Sequence, residues 1–145
     1  MDKCYCDASF NPVSRIAVIG WRINNNKIQT MIIKNTNNTR AEIIGLIRLI
    51  SELEKDKQYM IYTDCMGIIN RIASKDVLIH KQYKTANGRI LANADLYDQL
   101  FGMLTDNIQI QHIKGHLPKD LMNEDNMRFS ELDKYVRHKL RSLNK

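Results

Sequence analysis

Hydrophobic and polar positions change period several times along this chain, and each change marks an element. Residues 3–10, 15–23 and 27–34 read as strands. The turn Asn24-Asn25-Asn26 joins the last two, and asparagine tolerates the left-handed backbone that such turns use. Over 40–54 the spacing becomes helical, with Ile43, Leu46, Ile47, Ile50 and Leu53 on one face. A fourth strand is predicted at 59–64 and a helix at 66–74. The segment 75–92 is less regular and basic. A helix follows at 93–104, with Leu96, Leu100 and Leu104 on one side, then a fifth strand at 108–113. Residues 117–128, rich in Pro, Asn and Asp, read as a loop. A final amphipathic helix over 129–142 turns Phe129, Leu132, Val136 and Leu140 inward. This order predicts an α/β fold with hairpins first and helical crossovers later, hence a mixed sheet covered by helices. No repeat, linker or composition break divides the chain, so one domain over 1–145 is expected.

Composition narrows the class. A chain of 145 residues could bury roughly 70% of its unfolded surface in one compact domain. At 43% hydrophobic and 26% charged it has the balance of a soluble globular protein. No apolar run approaches the ~18 residues that a membrane span needs, so no membrane association is expected. Asp2 and Lys3 lead at once into a strand pattern, which predicts no signal peptide. The cysteines are Cys4, Cys6 and Cys65. An odd number, two of them in one short strand, argues for a reducing compartment such as the cytoplasm. The Cys4-x-Cys6 spacing is shorter than usual zinc-site spacings, and buried strand cysteine is the better reading.

A net charge of +6 and a pI near 9.3 favour a polyanionic partner. From Arg128 onward, Arg128, Lys134, Arg137, Lys139, Arg141 and Lys145 face only Glu131 and Asp133; Lys81, Lys84 and Arg89 form a second cluster beside His80. Either cluster fits a phosphate contact or an ordinary solvated face.

Four acids carry the candidate chemistry. Asp7 lies inside a strand, where aspartate is disfavoured and needs a reason. Glu42 opens a helix, Asp64 ends a strand, and Asp133 lies on the last helix. Carboxylates are hard ligands suited to Mg²⁺ or Mn²⁺, and several together could hold two cations ~4 Å apart for phosphoryl chemistry. Sites in such sheets form beyond the carboxyl ends of strands. Each acid also has a structural alternative. Thr39-Arg40-Ala41-Glu42 fits a capping box. Asp64 could cap the helix beginning at Met66. Asp133 could be a solvated helix residue.

With these positions in view, the chain resembles type 1 ribonuclease H over nearly its whole length. Cys6-Asp7-Ala8-Ser9 resembles the family's first-strand Asp followed by Gly/Ala-Ser. Asn38-Thr39-Arg40-Ala41-Glu42 is similar to its Asn-x-x-Ala-Glu helix entry, and Thr63-Asp64-Cys65 to its Thr-Asp-Ser. Tyr83-Lys84-Thr85-Ala86 resembles Trp-Lys-Thr, Ile113-Lys114-Gly115-His116 resembles Val-Lys-Gly-His, and Asp133-Lys134-Tyr135-Val136-Arg137 resembles Asp-x-Leu-Ala-Arg. Any one match is weak; five or six in order are specific.

The resemblance implies a ribonuclease H-like fold, with three antiparallel strands followed by two parallel ones. It implies Mg²⁺-dependent cleavage of the RNA strand of RNA/DNA hybrids, leaving 5′-phosphate and 3′-hydroxyl ends. Asp7 would bridge two Mg²⁺ ions, with Mn²⁺ as a substitute. Asp133 would help hold the ion on the water side, Glu42 and Asp64 the ion on the leaving-group side. His116 would assist proton transfer or product release. Asn38, in the helix entry with Thr39 and Arg40, would contact the minor groove, where 2′-hydroxyls mark the RNA. Lys84 and Thr85 would hold a DNA-strand phosphate. Met66 stands where the family often has a base-contacting Gln.

Other departures are a turn after the first strand without glycine (residues 10–15), Tyr83 in place of Trp, and a long spacer between His116 and Asp133. Asp125 competes with Asp133 as fourth ligand. A packed helix holds a ligand better than a loop does, which favours Asp133. No obligate protein partner is evident, though a place in a replication or reverse-transcription machinery fits. Other readings are a catalytically silent nucleic-acid-binding domain, a junction-resolvase-like DNA nuclease, or the ribonuclease domain of a larger polymerase.

Overall fold

The computed structural model describes residues 1–143. Its strands are β1 (Asp2–Asn11), β2 (Ile16–Ile23), β3 (Gln29–Ile33), β4 (Tyr59–Thr63) and β5 (Ile108–His112). They form one sheet in the order β3-β2-β1-β4-β5. The first three are antiparallel; β4 runs parallel to β1 and β5 parallel to β4. The predicted mixed α/β sheet, three antiparallel strands and then two parallel ones, is therefore the observed one. The helices are α1 (Asn38–Ser51), α2 (Met66–Ala73), α3 (Lys75–His80), α4 (Ala94–Met103) and α5 (Glu124–Leu143), with a 3-10 turn at Lys119–Leu121. No described helix is long and apolar enough to cross a membrane.

Alternation along β1 sends successive side chains to two different cores. Cys4 and Cys6 join Ile19, Trp21, Ile43, Leu46 and Leu100 on the face covered by α1 and α4. Tyr5 joins Val18, Phe129, Leu132, Val136 and Leu140 on the face covered by α5. Helix α1 is buried on most sides, between the sheet and α4, which explains its nearly continuous run Ile43-Ile44-Gly45-Leu46-Ile47. In α5 only a stripe is buried, so most of its surface stays polar. Each fully buried Leu or Ile of these faces contributes roughly 1.5–3 kcal/mol.

Several boundaries differ from the sequence reading. Helix α1 begins at Asn38, not 40, because Asn37 is its cap and accepts the Arg40 N–H at 2.9 Å. It ends at Ser51 rather than 54. The segment read as irregular contains α3, which buries no residue and so leaves no apolar period to detect. Helix α5 starts at Glu124 rather than 129. Asn123 and Asn126 exchange backbone-to-side-chain bonds (3.0 and 2.8 Å), a reciprocal cap that starts the helix five residues early. The expected loop at 117–128 is correspondingly short.

Candidate active site

The acids meet beyond the carboxyl end of β4, beside the middle of β1. Asp7 shares the face of Tyr5 and is 4% exposed. Glu42, on the second turn of α1, is 6% exposed. Asp64 follows the last residue of β4. One carboxylate oxygen from each of these three lies within 4.8 Å of the others. Asp133 approaches from α5, seated by its buried neighbour Leu132, and pairs with Arg137 one turn on at 2.8 Å. It lies outside that 4.8 Å group but close enough for its charge to act on Asp7, Glu42 and Asp64.

Crowding sets the electrostatics. Burial raises the Asp7 carboxyl far above the carboxylate range, and the charges of Glu42, Asp64 and Asp133 raise it further. Glu42 is raised by burial first and then by Asp64, against a lowering contribution from the Ala8 backbone N–H. Asp64 is raised by burial and then by Asp133, with His112 and His116 pulling it down. Asp7 Oδ2 is buried with no hydrogen-bond partner. A buried carboxylate oxygen without a donor is costly, and a divalent cation would satisfy it and relieve the repulsion together. All the donors are hard oxygens. The residues present therefore fit Mg²⁺ or Mn²⁺.

The local alternatives for three acids do not survive the geometry. Thr39 is not the cap of α1, and Glu42 is buried among the acids rather than reaching back along the helix. Cys65, not Asp64, stands at the cap position of α2. Asp133 is half-buried beside the cluster rather than free in solvent. Asp125 is on a helix, not in a loop, and is occupied elsewhere. It accepts the Tyr5 hydroxyl at 2.6 Å and Lys3 Nζ at 3.2 Å. Burial pushes its carboxyl up, but those hydrogen bonds outweigh burial and hold it below the usual value.

His116 sits on the loop between β5 and α5 with a left-handed backbone, φ 58°. It lines a cleft of about 330 Å³ together with Asp64, Asp133 and Arg137. That loop abuts the acids. A Cβ on Gly115 would stand 3.3 Å from Asp64 Oδ2, a contact that sequence reasoning missed and that only the loop's path reveals.

The expected nucleic-acid residues are more dispersed. Asn38 and Thr39 are exposed at the start of α1, and Met66 is half-exposed at the start of α2. Thr39 lines a groove of about 340 Å³ with Asn37, Arg71 and Asn93, partners the sequence did not single out. Arg40 is committed to a bidentate pair with Asp95 (2.8 and 3.1 Å) and also reaches Asn93. Lys84 and Thr85 are not among the residues that line that groove; they stand on an exposed turn where Thr85 N–H bonds the Arg89 carbonyl. Lys145 of the C-terminal basic cluster lies outside the described residues. Within that cluster Arg128 pairs with Glu124, and Lys139 donates to Thr30. Cys4, Cys6 and Cys65 are free thiols, the first two buried.

A family model described as RNase H matches residues 2–135. All four acids fall inside that span. A curated relative named Ribonuclease H, from Pseudomonas savastanoi pv. phaseolicola (strain 1448A / Race 6), is 32% identical over 85 residues. The alignment takes in 57% of this chain and 57% of the relative, so the match spans little more than half the length of each.

Proposed function

Starting from the chain's membership of the RNase H family, we propose that it hydrolyses the RNA strand of RNA/DNA hybrids. The observation that carries this reading is the meeting of Asp7, Glu42 and Asp64 within 4.8 Å of one another, with one buried Asp7 oxygen left without a donor. Asp7, Glu42, Asp64 and Asp133 would hold Mg²⁺, with Mn²⁺ as a substitute. The bound cations would supply charge compensation at the scissile phosphate and lower the pKa of water. Cleavage leaves 5′-phosphate and 3′-hydroxyl ends.

The chain's own groups do the rest. Through those cations the four carboxylates would fix the scissile phosphate beyond the carboxyl end of β4, beside the middle of β1. The His116 imidazole, on its exposed loop, moves a proton at the cut or helps the product leave. Asn38 donates to or accepts from a 2′-hydroxyl in the minor groove and so identifies RNA. Lys84 and Thr85 contact the DNA strand, where phosphate contacts fix register without reading sequence. With Arg40 tied to Asp95, its part is to brace the start of α1 rather than to reach the duplex. Three free thiols suit a reducing cell interior.

The experiment is a substrate panel: labelled RNA/DNA hybrid, RNA duplex, DNA duplex and junction DNA, each with Mg²⁺ or EDTA. Cleavage confined to the RNA of the hybrid, in Mg²⁺ only, is the expected result. Cleavage of junction DNA would put the chain with the resolvases. Binding of hybrid without any cleavage would mark a silent binding domain.

A further inference from the structure

Lysines crowd the cleft that begins at Asp64 and Asp133, and the four carboxylates do not account for them. From those acids the cleft continues between the loop after β5 and the face of α5, enclosing about 330 Å³. Lys114 and Lys119 stand on the loop side, Lys134 and Arg137 on the helix side. Arg137 is paired with Asp133. Among the described residues Lys114, Lys119 and Lys134 make no ion pair with a carboxylate, whereas Arg22, Arg40 and Arg128 each do. Three unpaired ammonium groups around one concavity repel one another and draw in an anion. The walls between them include the apolar surfaces of Met122 and Phe129, which limit solvent screening on that side.

The position of the cleft says which anion. It opens on two of the acids that would hold the cations at the scissile phosphate in the function proposed above, on which this inference rests. A strand fixed at that phosphate carries its neighbouring phosphates into adjoining space by covalent connection. The RNA strand is the one whose backbone must reach the cations that Asp64 and Asp133 would hold. We propose that the cleft binds, through Lys114 and Lys134, a backbone phosphate of the RNA strand flanking the scissile one. The protein thereby requires RNA to extend past the cut on that side and discriminates against hybrids that end there.

The test is a scan of hybrids carrying one neutral methylphosphonate at successive positions of either strand, with kcat and KM measured for each. Wild type is expected to show about a tenfold rise in KM, with kcat little changed, at one or two RNA-strand positions beside the cut. Lys114→Ala and Lys134→Ala should raise KM on the unmodified hybrid and lose sensitivity at those positions alone. Lys134→Arg should restore it. Circular dichroism and melting show whether each variant is folded. Alanine variants that keep the wild-type scan overturn the proposal, as does a loss of sensitivity that maps to the DNA strand or spreads over all positions. Hybrid affinities in Ca²⁺ give the same scan without cleavage. A wild type that binds with this pattern but does not cut would therefore overturn the catalytic reading and leave the phosphate site standing.

Discussion

Asp7 lies directly opposite Gly20 in the β1–β2 ladder, and that glycine is where α5 comes down onto the sheet. A Cβ at position 20 would stand 2.5 Å from Val136 Cγ1 and 2.9 Å from Leu132 Cδ1. Leu132 immediately precedes Asp133. The missing side chain thus lets the fourth acid approach the first.

Gly20→Ala should therefore act on both stability and activity. Overpacking at this contact is expected to cost about 1–3 kcal/mol, read as a lower denaturation midpoint with an unchanged denaturant slope. Cleavage of hybrid, measured well below the melting transition, should fall as well, because α5 is pushed away from β2. An alanine variant with wild-type stability would mean that α5 does not seat here.

The two candidate fourth acids predict opposite phenotypes. Asp133→Asn should lower kcat at least tenfold with little change in melting temperature. Asp125→Asn should keep near wild-type kcat yet lose about 1–2 kcal/mol, since Tyr5 and Lys3 lose the charge they bond. Kinetics and denaturation on the pair read both halves. The reverse ranking would mean that Asp125, not Asp133, is the acid that α5 brings to the site.

Raised carboxyls make the metal-free protein sensitive to base. An acid whose folded pKa exceeds its unfolded value contributes stability that is present below the unfolded pKa, about 4, and is lost as pH rises through the folded pKa. Burial and mutual repulsion raise Asp7, Glu42 and Asp64 in this sense. In EDTA the melting temperature should decline from mildly acidic to alkaline pH, and Mg²⁺ should flatten the decline. Asp7→Asn should melt several degrees above wild type in EDTA at pH 8, corresponding to ~1–2 kcal/mol. A variant that melts lower, or a wild-type curve that Mg²⁺ leaves unchanged, would contradict this electrostatic account.

The proposed function gives recognition of RNA to Asn38, which is exposed at the first turn of α1. Asn38→Ala should narrow the affinity gap between hybrid and DNA duplex in Ca²⁺. Lys84→Ala should instead weaken both and flatten the salt slope. Equal weakening of both duplexes by Asn38→Ala would remove it from the readout.

Much of this was legible in the sequence because it rests on local rules. Alternation in β1 and the cost of an aspartate inside a strand pointed to Asp7. The stripe Phe129, Leu132, Val136, Leu140 placed Asp133 on a packed helix. The misreadings have equally local causes. Thr36-Asn37-Asn38-Thr39 offers several competent caps in a row, and propensity cannot choose Asn37 among them. The first turn of α5 is polar (Glu124, Asp125, Asn126), so no apolar period announces it. The Gly115–Asp64 approach depends on a loop path, and the occupation of Asp125 depends on Tyr5 and Lys3, over a hundred residues away. Neither is written in spacing.

The central claim is that carboxylates meeting at Asp7 hold the divalent cations that cleave RNA in a hybrid. Its most direct test is the single-turnover cleavage rate of a labelled hybrid across a Mg²⁺ titration, for wild type and for Asp7→Asn. Wild type should show no cleavage in EDTA and a saturable rise with Mg²⁺, with product RNA ending in 5′-phosphate and 3′-hydroxyl. Asp7→Asn, folded by circular dichroism, should stay at background at every Mg²⁺ concentration. Cleavage by wild type in EDTA, or near wild-type rates from Asp7→Asn, would contradict the account.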